Sequence, residues 1–148
     1  MKLSTRSRFG LRFLLELGLN YAKRKPVYLR EISQREEISE KYLSQLALLL
    51  KSAGLISSVR GVHGGYILNK EPREIRLLEI IQTLEGDLSL VPCVNDSTYC
   101  QRVAICATRE VWLKMGKAFK ETLGSLTLQD LMVIQEGKLQ GNNVYYQI

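Results

Sequence analysis

The 148-residue sequence has little histidine, cysteine or proline: it holds one histidine, three cysteines and three prolines. The single histidine, His63, lies in a glycine-rich stretch, so no Ser/His/Asp catalytic set is available. Phosphate-binding loops of the G-x-G-x-x-G or G-K-[ST] type are also absent. The paired carboxylates Glu36 and Glu37 are most simply solvated side chains on a turn. These absences argue against an enzyme.

Long apolar segments are missing as well. No apolar run approaches the roughly 20 residues that a helix needs to span a bilayer. The opening residues, MKLSTR, are not followed by a signal-type apolar segment with a cleavage site. We therefore expect a cytoplasmic protein without a membrane partner. A hydrophobic fraction of 45% supports a core for one domain, or for a small domain with an appendage.

Acidic residues are scarce in the first half of the chain. Residues 1–70 contain 13 Lys and Arg against 5 Asp and Glu, whereas residues 71–148 contain 8 against 10. The net charge of +6 thus results from an excess in the N-terminal half. Such an excess favours a polyanionic partner. A membrane surface is the competing polyanion, but the basic residues do not line one amphipathic helix.

A helix-turn-helix is predicted within this basic half. A short helix near residues 29–35 is joined by the link Glu36-Glu37-Ile38 to a second helix, which Ser39 is suited to cap and Gly54 to end. The inner face of the second helix carries Leu43, Leu46, Ala47 and Leu50. Its outer face carries Glu40, Lys41, Ser44 and Gln45. Such polar side chains suit a helix that enters a DNA major groove.

A glycine-tipped hairpin follows this helix. Strand-like runs at residues 55–59 and 66–68 flank Arg60-Gly61-Val62-His63-Gly64-Gly65, which favours a tight tip able to approach a phosphate backbone. The competing interpretation is an ordinary helix–hairpin unit in a core. The predicted DNA-contacting residues are Ser39, Glu40, Lys41, Tyr42, Ser44, Gln45, Arg60, Gly61, Gly64, Gly65 and Tyr66.

The pattern predicts a mainly α fold with a small β-hairpin, divided into four parts. These are a winged helix-turn-helix DNA-binding domain at 1–86, a cysteine-bearing loop at 87–101, a dimerisation helix with a short last helix at 102–136, and a mobile tail at 137–148. The apolar seam of the long helix consists of Trp112, Met115, Phe119, Leu123 and Leu126. Its coiled-coil-like spacing indicates contact with a second chain.

The three cysteines, Cys93, Cys100 and Cys106, form the pattern C-x6-C-x5-C. A structural disulfide is not expected in a reducing compartment. Clustered thiolates suit a soft metal or an iron–sulfur cluster. Zinc remains open, although its usual closely spaced cysteine pairs are absent, and so do redox-active thiols without metal.

These motifs together resemble the IscR-type iron–sulfur cluster regulators. The resemblance covers about residues 1–135 and is carried by the helix-turn-helix, the R-G-V-H-G-G-Y wing, the L-E-G sequence and the three cysteines followed by a Trp-containing helix. These regulators belong to a larger family of dimeric winged-helix repressors that includes nitric-oxide, iron and cysteine-metabolism sensors. The resemblance implies a homodimer on a palindromic operator, control of cluster-assembly genes, and a cluster, foremost 2Fe–2S, on Cys93, Cys100 and Cys106.

Two departures from the family pattern stand out. Arg109 occupies the place of the histidine that serves as fourth ligand in the cluster regulator, so the fourth ligand is unassigned. An oxygen ligand is expected there, with Asp96, Glu85 and Glu110 as candidates. The recognition helix reads Tyr42-Leu43-Ser44-Gln45, with Ser44 in place of a family glutamate that helps the cluster-free form to reject some DNA sequences.

Overall fold

The computed structural model describes residues 2–145, with side chains described as far as residue 141. Within these residues, seven α-helices and one hairpin follow in the order α1 (Thr5–Leu19), α2 (Leu29–Glu36), α3 (Glu40–Ser52), β1 (Ile56–Val59), β2 (Gly65–Leu68), α4 (Leu77–Glu85), α5 (Pro92–Asn95), α6 (Ala107–Ser125) and α7 (Leu128–Tyr145). The predicted mainly α fold with a small β-hairpin is confirmed.

Helix α1 forms the centre of the core. Phe13, Leu14 and Leu17 lie on one face of it and are at most 2% exposed. Gly10 lets the helix approach α4, because a Cβ atom there would lie 2.4 Å from Leu84 Cδ1. The helix ends at Leu19, because the chain turns at Asn20 into a separate 3-10 turn at Tyr21–Lys23.

Helices α2 and α3 form the predicted helix-turn-helix. The turn is made by Glu37, whose φ of 54° lies in the left-handed region. Ser39 caps α3, since its hydroxyl oxygen accepts a hydrogen bond from the backbone N–H of Tyr42 at 3.2 Å. Two ion pairs hold α2 on α1: Arg12 donates to the carboxylate of Glu36, and Arg35 donates to Glu16.

The hairpin is an antiparallel pair in which Ile56 lies opposite Leu68 and Val59 opposite Gly65. Val27 forms an isolated antiparallel bridge to the hairpin, because it exchanges two backbone hydrogen bonds with Tyr66, at 2.9 and 3.0 Å. The hairpin is therefore anchored at its base and projects its tip, residues 60–63, away from the core.

The C-terminal half departs from the sequence prediction at two places. The predicted long helix begins at Ala107, not Arg102, because a 3-10 turn at Val103–Ile105 precedes Cys106, the N-cap of α6. The loop before it contains the one-turn helix α5. Helix α7 continues to Tyr145, so the predicted tail is wrong for residues 137–145, while residues 146–148 lie outside the described part.

The start of α7 is capped as its sequence predicts. Asp130 accepts hydrogen bonds from the backbone N–H and hydroxyl of Thr127, at 2.7 and 2.8 Å. The helix then packs against α1 where Gly18 faces Met132. Leu123 and Leu126 of the predicted dimer seam pack on the chain's own core, whereas Met115 is 51% exposed. Among the described helices, none is long and apolar enough to cross a membrane.

Candidate DNA-binding interface and cysteine segment

Helix α3 presents two chemically different faces. Leu43, Leu46, Ala47 and Leu50 are buried in the core. The outward face holds Glu40, Lys41, Ser44 and Gln45, all of which are exposed. The structure thus brings the predicted reading residues together on one surface that no other element covers within the described part of the chain.

Not every residue on this surface is equally available for DNA. The hydroxyl of Ser44 donates to the backbone carbonyl of Glu40 at 2.9 Å, within the helix itself. Tyr42 is half-buried and packs edge-to-face on Phe9, with ring centroids 5.9 Å apart. Tyr42 therefore attaches α3 to α1, and the long exposed side chains of Lys41 and Gln45 are the ones best placed to reach bases.

The wing divides into an exposed tip and a packed base. Arg60 and Gly61 are exposed at the tip, next to Val62, which is 88% exposed. The hydroxyl of Tyr28 donates to the carbonyl of Val62 and holds the tip toward α2. Among the predicted wing residues, Arg60 therefore carries the positive charge that can pair with a phosphate group.

Gly64, Gly65 and Tyr66 lie at the packed base of the wing. A Cβ atom at Gly64 would lie 2.4 Å from the carbonyl oxygen of Val59, and one at Gly65 would lie 2.5 Å from that of Val27. Tyr66 packs edge-to-face on Phe13. These residues shape and anchor the wing, a part that the sequence pattern alone did not distinguish from DNA contact.

The three cysteines lie on different elements of one segment between α4 and α6. Cys93 is in α5, Cys100 is in an exposed turn and Cys106 is the N-cap of α6; all three are free thiols. No group of three or more His, Cys, Asp or Glu side chains able to hold a metal ion is present in the described part of the chain. The structure therefore does not gather the cysteines into one site.

Cys106 has the most distinctive surroundings of the three. Its Sγ lies 3.2 Å from the Thr108 hydroxyl. That hydroxyl, followed by the backbone N–H of Arg109, lowers the pKa of the Cys106 thiol below its ordinary value. A thiol at a helix N-terminus favours its thiolate form, which is the form that binds metals and reacts with oxidants.

The oxygen ligands considered from the sequence are largely engaged elsewhere. The Glu85 carboxylate accepts hydrogen bonds from Ser4 and Ser7 on α1, and their hydroxyls lower its pKa. Asp96 accepts hydrogen bonds from Thr98, which lower its pKa. Glu110 is exposed in the first turn of α6. Within the described residues, none of the three joins the cysteines in a group that could hold a metal ion.

The donor set nevertheless fits an iron–sulfur cluster by its chemistry. Cysteine thiolates are the usual ligands of such clusters. All three thiols are free, and none of them belongs to the hydrophobic core.

The basic half, the exposed face of α3 and the anchored hairpin define a winged-helix DNA-binding protein. Residues 3–133 match the Rrf2 family, which is described as iron-dependent transcriptional regulators, and the chain belongs to this family. Its relatives and structural neighbours are transcriptional regulators and not enzymes.

Curated relatives cover nearly the whole chain. Protein rrf2 of Nitratidesulfovibrio vulgaris is 40% identical over 132 residues, which are 89% of this chain and 87% of the relative. The regulator CymR of Bacillus subtilis is 39% identical over 145 residues, with 98% and 99% covered. The regulator IscR of Xenorhabdus nematophila is 33% identical over 136 residues, with 92% and 82% covered.

Solved structures agree with the fold. The structure of CymR, the global cysteine regulator of B. subtilis, matches with a TM-score of 0.78 and 40% identity, covering 90% of this chain and 98% of the other. T. potens IscR matches with a TM-score of 0.76 and 37% identity, covering 93% and 90%. The chain is thus similar both to cysteine-regulator and to IscR structures.

Proposed function

We propose that this DNA-binding regulator controls iron–sulfur cluster assembly genes according to whether a cluster, foremost 2Fe–2S, is bound by Cys93, Cys100 and Cys106. The observation that carries the proposal is the presence of three free thiols on the segment that links the winged unit (α1 to α4) to α6. The C-x6-C-x5-C resemblance and the iron-dependent description of the family support it. Held by these thiolates, a cluster would make the conformation of the segment depend on iron supply and on oxidants.

Helix α3 and the wing contact different parts of the DNA. Helix α3 enters the major groove with Gln45 against a base edge, since glutamine pairs well with adenine. Arg60 at the wing tip contacts a phosphate group or the minor groove. Two chains joined through α6 place two such units on a palindromic operator. The exposed apolar side chains Val111 and Met115 on α6 support this pairing.

The decisive test is a spectrum of protein purified without oxygen. We expect a brown protein with visible absorbance, and iron and sulfide in stoichiometric amounts. Separate Cys93→Ser, Cys100→Ser and Cys106→Ser variants should lose the colour. Ser97→Ala, in the same segment but without a thiol, is the matched control and should keep it. A colourless wild-type protein that takes up no iron during anaerobic reconstitution would refute the cluster proposal.

A second candidate is a regulator that senses thiol oxidation, nitric oxide or a metabolite. The observation that favours it is Cys106 at the N-terminus of α6, beside the Thr108 hydroxyl. In this case the protein is colourless, and a mild oxidant changes DNA affinity in the wild type but not in Cys106→Ser. The same pair of proteins therefore separates the two candidates.

A further inference from the structure

Arg109 connects two cysteine-bearing elements. It lies in the first turn of α6, three residues after Cys106. Its guanidinium donates from Nε to the backbone carbonyl of Cys93 at 3.0 Å and from Nη2 to that of Val94 at 3.4 Å. The side chain therefore ties α5 to the start of α6.

A cation at this position needs a compensating partner. The N-terminus of a helix carries partial positive charge, so an arginine in the first turn of α6 is electrostatically unfavourable. Helix α5 supplies the compensation, because carbonyl groups at the end of a helix have no intrahelical donors. The planar guanidinium fork suits two successive carbonyl oxygens, which a lysine ammonium cannot engage in the same way.

The two elements also border one depression. Val94 of α5 and Trp112 of α6 line it, together with Leu88 and Leu90, and its volume is about 380 Å³. Arg109 itself is half-buried. The position of α5, and of Cys93 within it, is thus set on α6 by the hydrogen bonds of Arg109.

We propose that Arg109 is a positioning residue that clamps Cys93 to the start of α6, and that this clamp holds the cysteine segment in its ligand-free arrangement. The thiols do not form a metal-holding group in the clamped segment. At least one of the three thiols must therefore move before one centre can bind all three, and the Arg109 contacts resist any movement of Cys93 relative to the start of α6. This last step rests on the proposed cluster function, whereas the clamp itself does not.

The clamp is tested on metal-free, reduced protein. Hydrogen exchange of the amides in residues 92–106 and the alkylation rate of each cysteine are measured for the wild type and for Arg109→Ala. We expect about tenfold faster exchange and faster alkylation of Cys93, because hydrogen bonds from a charged donor are lost. Equal exchange and equal alkylation in the two proteins would overturn the proposal.

Two further variants separate the clamp from charge and from general damage. Arg109→Lys keeps the charge but loses the fork, so it should behave like Arg109→Ala. Arg102→Ala removes a cation that lowers the pKa of Cys106 but makes no described bond to α5, so Cys93 should react as in the wild type. If Arg109→Lys restored wild-type rates, charge and not the clamp would be the cause.

The clamp and the cluster proposal can fail separately. In anaerobic reconstitution with iron and sulfide, we expect Arg109→Ala to acquire visible absorbance faster than the wild type. Uptake at the same rate would refute the idea that the clamp must be released. If neither protein acquired a cluster, the proposed function would fail while the exchange data still decided on the clamp.

Discussion

The carboxylate of Glu85 accepts hydrogen bonds from both the backbone amide and the hydroxyl of Ser4, at 2.8 and 2.6 Å. The hydroxyl of Ser7 adds a third. The contact joins the start of α1 to the end of α4, immediately before the cysteine segment. It thus fixes the point from which that segment leaves the winged unit.

This contact predicts a pH-dependent stability. The pKa of Glu85 lies below its ordinary value of 4.5, first because of the Ser4 hydroxyl and then because of Ser7. A carboxyl whose pKa is lowered in the folded state contributes stability above pH 4.5 and loses that contribution as the pH falls through the folded-state value. A Ser4→Ala/Ser7→Ala variant should therefore be less stable than the wild type at pH 7, and the difference should shrink at pH 3.

Urea unfolding at a series of pH values measures this difference. Ser52→Ala, an exposed serine at the end of α3, is the control and should show a pH-independent effect. A double variant whose deficit is the same at pH 3 and pH 7 would show that the serines act through packing and not through the Glu85 charge.

Replacing Gly65 should destabilise the protein more than replacing Gly61. Both have positive φ, 128° and 110°. A Cβ atom at Gly65 would meet the carbonyl of Val27 at 2.5 Å, whereas none of the described atoms lies within 4 Å of one at Gly61. Gly61→Ala should cost about 1 kcal/mol of unfolding free energy from backbone strain. Gly65→Ala should cost roughly 2 kcal/mol more, because the Val27 backbone must move.

Calorimetry and DNA titration of the two variants give the comparison. Gly65→Ala should also weaken DNA binding, since Val27 no longer anchors the wing. Equal destabilisation by both substitutions would mean that the Val27 backbone can move away from Gly65 without a loss of stability.

Gln45 and Arg60 should affect DNA binding in different ways. Gln45→Ala should lose roughly 1–3 kcal/mol of discrimination at one base pair, as expected for a side chain that pairs with a base edge. Arg60→Ala should weaken cognate and random duplexes alike and reduce the salt slope by about one unit, as for a phosphate contact. Fluorescence anisotropy at several salt concentrations measures both.

Matched controls exist for each substitution. Gln82→Ala removes an exposed glutamine from α4, and Lys114→Ala removes an exposed cation from α6. Neither should change affinity beyond about twofold. If Arg60→Ala left binding to both duplexes untouched, the assignment of the wing to DNA would be wrong.

The winged unit was predictable because its signals are local. Ser39, Gly54 and the apolar positions of α3 determine where that helix starts, ends and packs, and all of them are visible in a short window. Gly64 and Gly65 were ambiguous, because the same residues suit a DNA-contacting tip and a crowded chain crossing. Only tertiary structure separates these possibilities: the Val59 carbonyl crowds Gly64, and Val27, nearly forty residues away in sequence, crowds Gly65.

The cysteine segment and α6 were less predictable because tertiary contacts determine them. The 3-10 turn before Cys106 and the Arg109 contacts to α5 have no periodic signal. The spacing of the apolar seam indicates contact with a second chain, yet Leu123 packs on the chain's own core. Apolar spacing identifies a buried face but does not say which chain covers it.

This distinction sharpens the test of the proposed homodimer. Leu123 is unsuitable, because a charge there would also damage the monomer core. Met115 is 51% exposed in the single chain, so Met115→Glu should leave the monomer fold intact and disrupt only a contact with a second chain. Sedimentation should then show a Met115→Glu monomer, and this monomer should bind a palindrome weakly. Lys117→Glu, on the same helix but strongly exposed, is the control and should remain dimeric. A dimeric Met115→Glu protein would place the interface elsewhere.

The cysteines should affect how tightly the protein binds DNA and not which DNA sequences it prefers. They lie between Gly86 and α6, and no cysteine is part of the α3 surface. Ligation there would act on the geometry of the chain pair and not on base contacts. Ser44, which stands where the resembling regulators have a glutamate, carries no charge to be left unpaired near bases, and its hydroxyl is engaged by Glu40. We therefore expect the two forms to differ in DNA affinity but to prefer the same sequences.

An operator library decides this under anaerobic conditions. Reconstituted protein and a Cys93→Ala/Cys100→Ala/Cys106→Ala variant are titrated against the same pool, and bound sequences are read out. The preferred motifs should coincide while the affinities differ. Ser44→Glu in both backgrounds is the matched comparison: the acidic side chain imposes a cost wherever it finds no donor on the DNA, so it should make the two motifs diverge. Different motifs with Ser44 in place would refute affinity-only control, and identical binding curves would refute any coupling between the cysteines and DNA.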